Sequence, residues 1–204
     1  MEACSPLVKG LYSRKIGQVE AALERAPLNA SLWSVWTRMA DVIGGRNIMA
    51  VTDRLTPRPG AVFSSWPLAV QSRLIEDARA NNRWNYLADS LWGEYEKRLR
   101  MGTGISRVTF QIDVNEGDAM SQVRDLRFSQ AWDTFIEPLL EALIHMNDLG
   151  RADSIMNTLQ EQQKQGQWHE TQMPKAIALA NRCNRPDIAR RWSVYVTENN
   201  GGRR

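Results

Sequence analysis

Only two histidines, His145 and His169, occur in these 204 residues, and they bound the chemistry the chain could perform. They lie 24 residues apart with Cys183 beyond, so no two of the three have the spacing that puts metal ligands on one helical face. Glu137, Glu141 and His145 follow one another at steps of four, which aligns them along one side of a helix. In di-metal carboxylate bundles such a line is matched by a Glu-x-x-His motif on a facing helix, and this sequence has none. The line reads as a solvated face. A serine or cysteine nucleophile needs a histidine base, and no local pairing supplies one. Gly102-Thr103-Gly104 and Gly44-Gly45-Arg46 lack the strand-to-helix setting and the lysine of a phosphate loop, and read as a linker and a helix end. No catalytic, metal-binding or cofactor-binding residue is expected, and the chain is not read as an enzyme.

Recognition is a better prospect than catalysis. Eight tryptophans are present. Trp33, Trp36, Trp84, Trp92, Trp132 and Trp192 sit in helical segments beside other apolar residues and are expected to pack between helices. Trp66, in a loop, and Trp168, after Gly166, are less easily assigned to a core and are candidates for a recognised surface. Arg182, Arg185, Arg190 and Arg191, with Arg203 and Arg204 nearby, form the densest basic cluster, suited to phosphate or to an acidic partner. A solvated helix end is the plainer reading of that cluster. Of the 26 basic residues only five are lysine, and the net charge is +3. Arginine suits interfaces and nucleic acid alike, but a GC-rich genome produces the same bias.

These residues must be carried by helices. Leu32, Trp33, Val35, Trp36, Met39 and Val42 make a broad apolar stripe, with Asn29 or Ser31 as cap and Gly44-Gly45 as stop. Leu87, Leu91, Trp92, Tyr95 and Leu99 recur at helical steps. Further helices are predicted over Ala131–Met146, Arg151–Gln165, Thr171–Cys183 and Pro186–Thr197, the last with proline at its favoured first position. One segment differs. Val108 to Val114 alternates apolar and polar residues, the period of a strand, so an irregular or extended stretch is expected near 101–117. Phe110 within it is a further candidate for partner binding.

A glycine or asparagine followed by arginine recurs between helices, at Gly45-Arg46, Asn82-Arg83, Gly150-Arg151 and Asn184-Arg185. The arginine-to-arginine steps are 37, 68 and 34, as stacked helix-turn-helix repeats would give. The run from Glu20 to Trp33 resembles the junction between two tetratricopeptide-type repeats. There a small residue is followed five positions on by proline and six further on by a large apolar residue, here Ala22, Pro27 and Trp33, with Gly44 where the next inter-helix turn begins. The resemblance implies an all-α fold, a TPR-like α-solenoid of stacked helical hairpins. A plain helical bundle is the alternative.

The expected organisation is one helical-repeat domain over 1–198, with a loop at 56–66, the irregular segment at 101–117 and a disordered tail at 199–204. Two cysteines, Cys4 and Cys183, are too few for a disulfide framework and suit a reducing compartment. Met1 to Pro6 has neither the charged nor the apolar part of a signal peptide, and apolar runs stop well short of the roughly 20 residues that cross a bilayer. A cytoplasmic location without membrane insertion is expected. The expected function is a non-enzymatic scaffold or adaptor, or an accessory subunit of a larger complex, that binds protein, a second copy of the chain included. Nucleic-acid binding through the arginine cluster at 182–191 is the alternative.

Overall fold

A computed structural model of the chain describes residues 6–44, 47–55, 63–100, 132–164 and 172–200. Among them the regular structure is all helical, with no strand. The α-helices are α1 (Pro6–Arg25), α2 (Ala30–Ile43), α3 (Ile48–Leu55), α4 (Leu68–Ala80), α5 (Trp84–Arg100), α6 (Glu137–His145), α7 (Leu149–Lys164), α8 (Gln172–Arg182) and α9 (Pro186–Asn200). They fall into two compact units, Met1–Arg83 and Trp84–Arg204. The segment 101–117 with Phe110, together with Gly45-Arg46, Trp168, His169, Cys4, Arg203 and Arg204, lies outside the described residues. So does most of the expected 56–66 loop, whose end is a 3₁₀ turn over Phe63–Ser65. Two residues assigned to the tail, Asn199 and Asn200, belong instead to the last helix.

In the first unit Pro27 cannot continue α1, and its free carbonyl accepts a hydrogen bond from Trp33 Nε1 at 2.6 Å. Asn29 opens α2 by accepting from the Leu32 amide at 3.0 Å, the N-cap role expected of it. Trp33, Trp36 and Ala40 then fall on one buried edge of α2, and Gly44, at φ 76°, ends the helix in a conformation that suits glycine. Trp33 is the centre of this core. It meets Trp36 edge-on at 5.6 Å and Trp66 edge-on at 5.7 Å. Glu20, buried on α1, accepts from Trp36 Nε1 at 3.0 Å and pairs with Arg54 of α3 at 3.0 Å, so its charge is not left uncompensated. Asp77 of α4 accepts from the Ile48 amide at 3.2 Å and so satisfies the start of α3.

The second unit is built around α6, whose Pro138, Leu139, Leu140, Ala142, Leu143 and Ile144 are all buried. It packs against α5, α7 and α8, while α8 and α9 form a hairpin. A π-turn over Trp132–Ile136 leads into α6. Pro138 has no amide to offer the carbonyl four residues back, and a wider turn ahead of it is the local accommodation. Tyr95 of α5 donates or accepts across 2.7 Å to the Thr158 hydroxyl, and its hydroxyl lies 3.2 Å from the Ser154 carbonyl, which ties α5 to α7.

Candidate functional site

Three helix ends share one backbone device. Asn82, Asn147 and Asn184 have φ of 52°, 57° and 56°, the left-handed region that asparagine tolerates better than most residues. After each, the next amide returns to the carbonyl five residues back: Arg83 to Ala78 at 2.8 Å, Asp148 to Leu143 at 2.9 Å, and Arg185 to Ala180 at 2.9 Å. Each asparagine amide also returns to the carbonyl three back, at 3.3, 3.1 and 3.0 Å respectively. This is the Schellman closure, which satisfies carbonyls that a helix end leaves open.

The recurrence is therefore real at Asn82-Arg83 and Asn184-Arg185 but misplaced at Gly150-Arg151. There the turn is Asn147-Asp148, and Gly150 and Arg151 already lie in the first turn of α7, which starts at Leu149 rather than Arg151. The asparagine-to-asparagine steps are 65 and 37, so the doubling of 34 does not hold at the turns themselves. Asp148 explains the shift. Its carboxylate accepts from the Arg151 amide at 3.1 Å, which makes it the N-cap of α7. The Arg151 side chain returns to the same carboxylate at 2.6 Å and reaches Asp89 of α5 at 3.3 Å. These bonds, above all the one from the Arg151 side chain, hold the Asp148 carboxyl below its usual range.

The arginine cluster is drawn into the same corner. Arg185 grips Asp187 with two nitrogens at 3.0 and 2.8 Å, and it also reaches the Asn147 side chain at 2.9 Å and the Ile144 carbonyl at 3.4 Å. One residue of the α8–α9 turn thus holds the α6–α7 turn. The grip of Arg185 lowers the Asp187 carboxyl to about 2. Arg182 donates to Glu137 at 2.6 Å, and the other oxygen of that carboxylate accepts from Trp132 Nε1 at 2.6 Å. Arg191 pairs with Asp153 of α7, which also accepts from the buried Trp192 Nε1 at 3.0 Å. Arg190 is exposed.

Three of the four arginines offered as a binding patch thus close contacts between helices. Nothing in the local sequence marks Asn147 and Asp153 as their acceptors. Glu137, aligned in sequence with Glu141 and His145, instead takes Arg182 and Trp132.

The remaining candidates separate. Trp66 is a correction. It is 7% exposed and lies edge-on against Trp33, directly after the 3₁₀ turn over Phe63–Ser65, so it belongs to the core and not to an open surface. Trp33, Trp36, Trp132 and Trp192 are buried as expected, whereas Trp84 and Trp92 are only half-buried. Trp84 stacks on the exposed His145 at 4.1 Å with planes 10° apart. Among the described residues no group of three His, Cys, Asp or Glu side chains is gathered as a metal site. Comparison with protein-family models, with curated proteins and with solved structures gives no match.

Proposed function

We propose that this chain is a non-enzymatic protein-interaction scaffold, an adaptor or an accessory subunit of a larger complex, built as a TPR-like array of helical hairpins. One observation carries the reading: among the described residues the charged side chains around the α8–α9 turn are used to fix helices to one another. Glu137, Asp153, Arg182, Arg185 and Arg191 all serve in that way. The Schellman turns closed by Asn147 and Asn184 support a hairpin array, since within the second unit each joins two packed helices through a few residues. The Ala22–Pro27–Trp33 junction supports the likeness to tetratricopeptide repeats, through the contact of Trp33 with the Pro27 carbonyl. Stacked helical hairpins present extended faces and bind without a catalytic pocket.

The arginine pairings speak against nucleic-acid binding as the main task, because a guanidinium already shared by a carboxylate gains less from a phosphate. A cytoplasmic setting fits the reading. Among the described residues no helix is long and apolar enough to cross a membrane. In-cell crosslinking of the tagged full chain, followed by reciprocal capture from the partner's side, tests the scaffold. A stoichiometric protein partner is expected. A chain that crosslinks to no protein in its own cell and stays monomeric at high concentration would overturn the proposal.

A further inference from the structure

The outer face of α1 has no part in the reading above. From Pro6 to Val19 the sequence holds Lys9, Arg14 and Lys15 and no acidic residue, and all three cations are exposed. Leu7 is 81% exposed and Leu11 is 49% exposed, one helical turn apart. Leu7, Leu11, Arg14 and Gln18 follow at steps of four and three, so they share one side of the helix. The side turned to the core carries Ile16, Glu20 and Leu23. A Cβ added at Gly10 or Gly17 would meet nothing within 4 Å, so the flank beside this face is open too.

We propose that the N-terminal half of α1 docks on the surface of an anionic lipid bilayer. Single exposed leucines are ordinary, but two at one helix end in a stretch with three exposed cations and no acid of its own make a different surface. A second copy of the chain would bring the same cations to the contact and be repelled. A bilayer with anionic headgroups presents a negative layer in front of an apolar one. The leucines can enter the acyl boundary while the stems of Arg14, on the same side, and Lys15, on its flank, reach back to the phosphates, and Lys9, on the other side of the helix, adds its charge from a distance. Attachment of this kind lies in the interface and spans nothing, and its few cations and two leucines make it reversible and sensitive to salt. It stands whether or not the chain is a scaffold.

The test is co-sedimentation of the full chain with vesicles of phosphatidylcholine alone or mixed with phosphatidylserine. Partitioning about tenfold or more stronger on the anionic vesicles is expected, falling steeply with added salt. The variants Leu7→Gln/Leu11→Gln and Lys9→Gln/Arg14→Gln/Lys15→Gln should each lose it with an unchanged helical circular-dichroism spectrum. A second measurement serves if either variant fails to fold: an environment-sensitive dye at Leu7→Cys, in a Cys4→Ser/Cys183→Ser background, should shift to the blue on anionic vesicles. Equal binding to both vesicle types, no binding at low salt, or an unmoved dye would overturn the proposal. So would a wild-type chain that ignores vesicles while the leucine variant abolishes capture of a defined protein partner, since the face would then be a protein contact.

Discussion

Two regions of this molecule are rich in cations, and they use them in opposite ways. Around the α8–α9 turn, Arg182, Arg185 and Arg191 each reach an acid or carbonyl on a distant stretch of chain, from Glu137 through Ile144 and Asn147 to Asp153. Along the first half of α1, Lys9, Arg14 and Lys15 are exposed in a stretch with no acid of its own. Both stretches are basic in the sequence, with Arg182, Arg185, Arg190 and Arg191 in the one and Lys9, Arg14 and Lys15 in the other. What separates them is whether the fold brings opposite charge alongside, so a basic cluster says little about binding until its partners across the fold are known.

The comparison can be broken most forcefully at the corner. Trp192 is fully buried, and its indole N–H is held by the same Asp153 that takes Arg191. Trp192→Ala should cost about 3–5 kcal/mol of unfolding free energy in urea denaturation, from lost burial and the cavity left behind. Asp153→Ala should cost about 1–3 kcal/mol, because it leaves the indole N–H buried without an acceptor. If both changes prove nearly neutral, the corner is not held by these contacts and the contrast with α1 loses its basis.

The turns come next in size. Asn147→Ala and Asn184→Ala should each cost about 1 kcal/mol, since alanine enters the left-handed region at a penalty, while the glycine variants should be neutral or better. At position 147 the side chain also accepts from Arg185. Asn147→Gly should therefore recover less than Asn184→Gly, a difference that thermal denaturation of the two pairs reads directly.

The outcome at Asn147 also shows what the sequence could and could not tell. The helices, the Asn29 cap, the Gly44 stop, Pro186 at the start of α9 and the Asn82 and Asn184 turns were legible, because each depends on neighbours a few residues away. Gly150 drew the third turn to itself, since glycine is the commoner left-handed residue, yet Asp148 captures the Arg151 amide and starts the helix earlier. Trp66 looked like a loop residue, and its place on Trp33 depends on a contact across 33 positions of chain. The carboxylates that pair with Arg191 and Arg182 lie 38 and 45 residues from them, where no local pattern reaches, whereas Asp187 stands two residues from Arg185. Pairing at that range is a property of the fold.

A smaller effect follows from pH. Arg185 holds the Asp187 carboxyl at about 2, against an ordinary value of 3.8. The folded-state value is the lower one, so the stabilisation is complete above the ordinary value and is lost as pH falls from there toward about 2. Arg185→Gln should flatten that part of the acid limb in a series of urea denaturations, and at neutral pH it should lose the contribution of the pair with Asp187 together with the contacts to Ile144 and Asn147. An acid limb identical to wild type would mean that the Arg185–Asp187 pair forms equally in the unfolded chain, two residues apart as they are.

The smallest expected effect is the one that bears most on α1. If Lys9, Arg14 and Lys15 hold nothing in the fold, then replacing each by glutamine should move the unfolding midpoint by no more than exposed substitutions usually do, within about 0.5 kcal/mol. Gly17→Ala supplies the control that α1 is folded and reports on stability: with open space around it, the change should add about 0.5–1 kcal/mol by helix propensity alone. A gain at Gly17 beside neutrality at the three cations would leave their charge to be explained by something outside the chain. A cost above about 1 kcal/mol at any one of them would instead place a partner within the fold, and the α1 cations would join Arg182 and Arg191 as structural pairs.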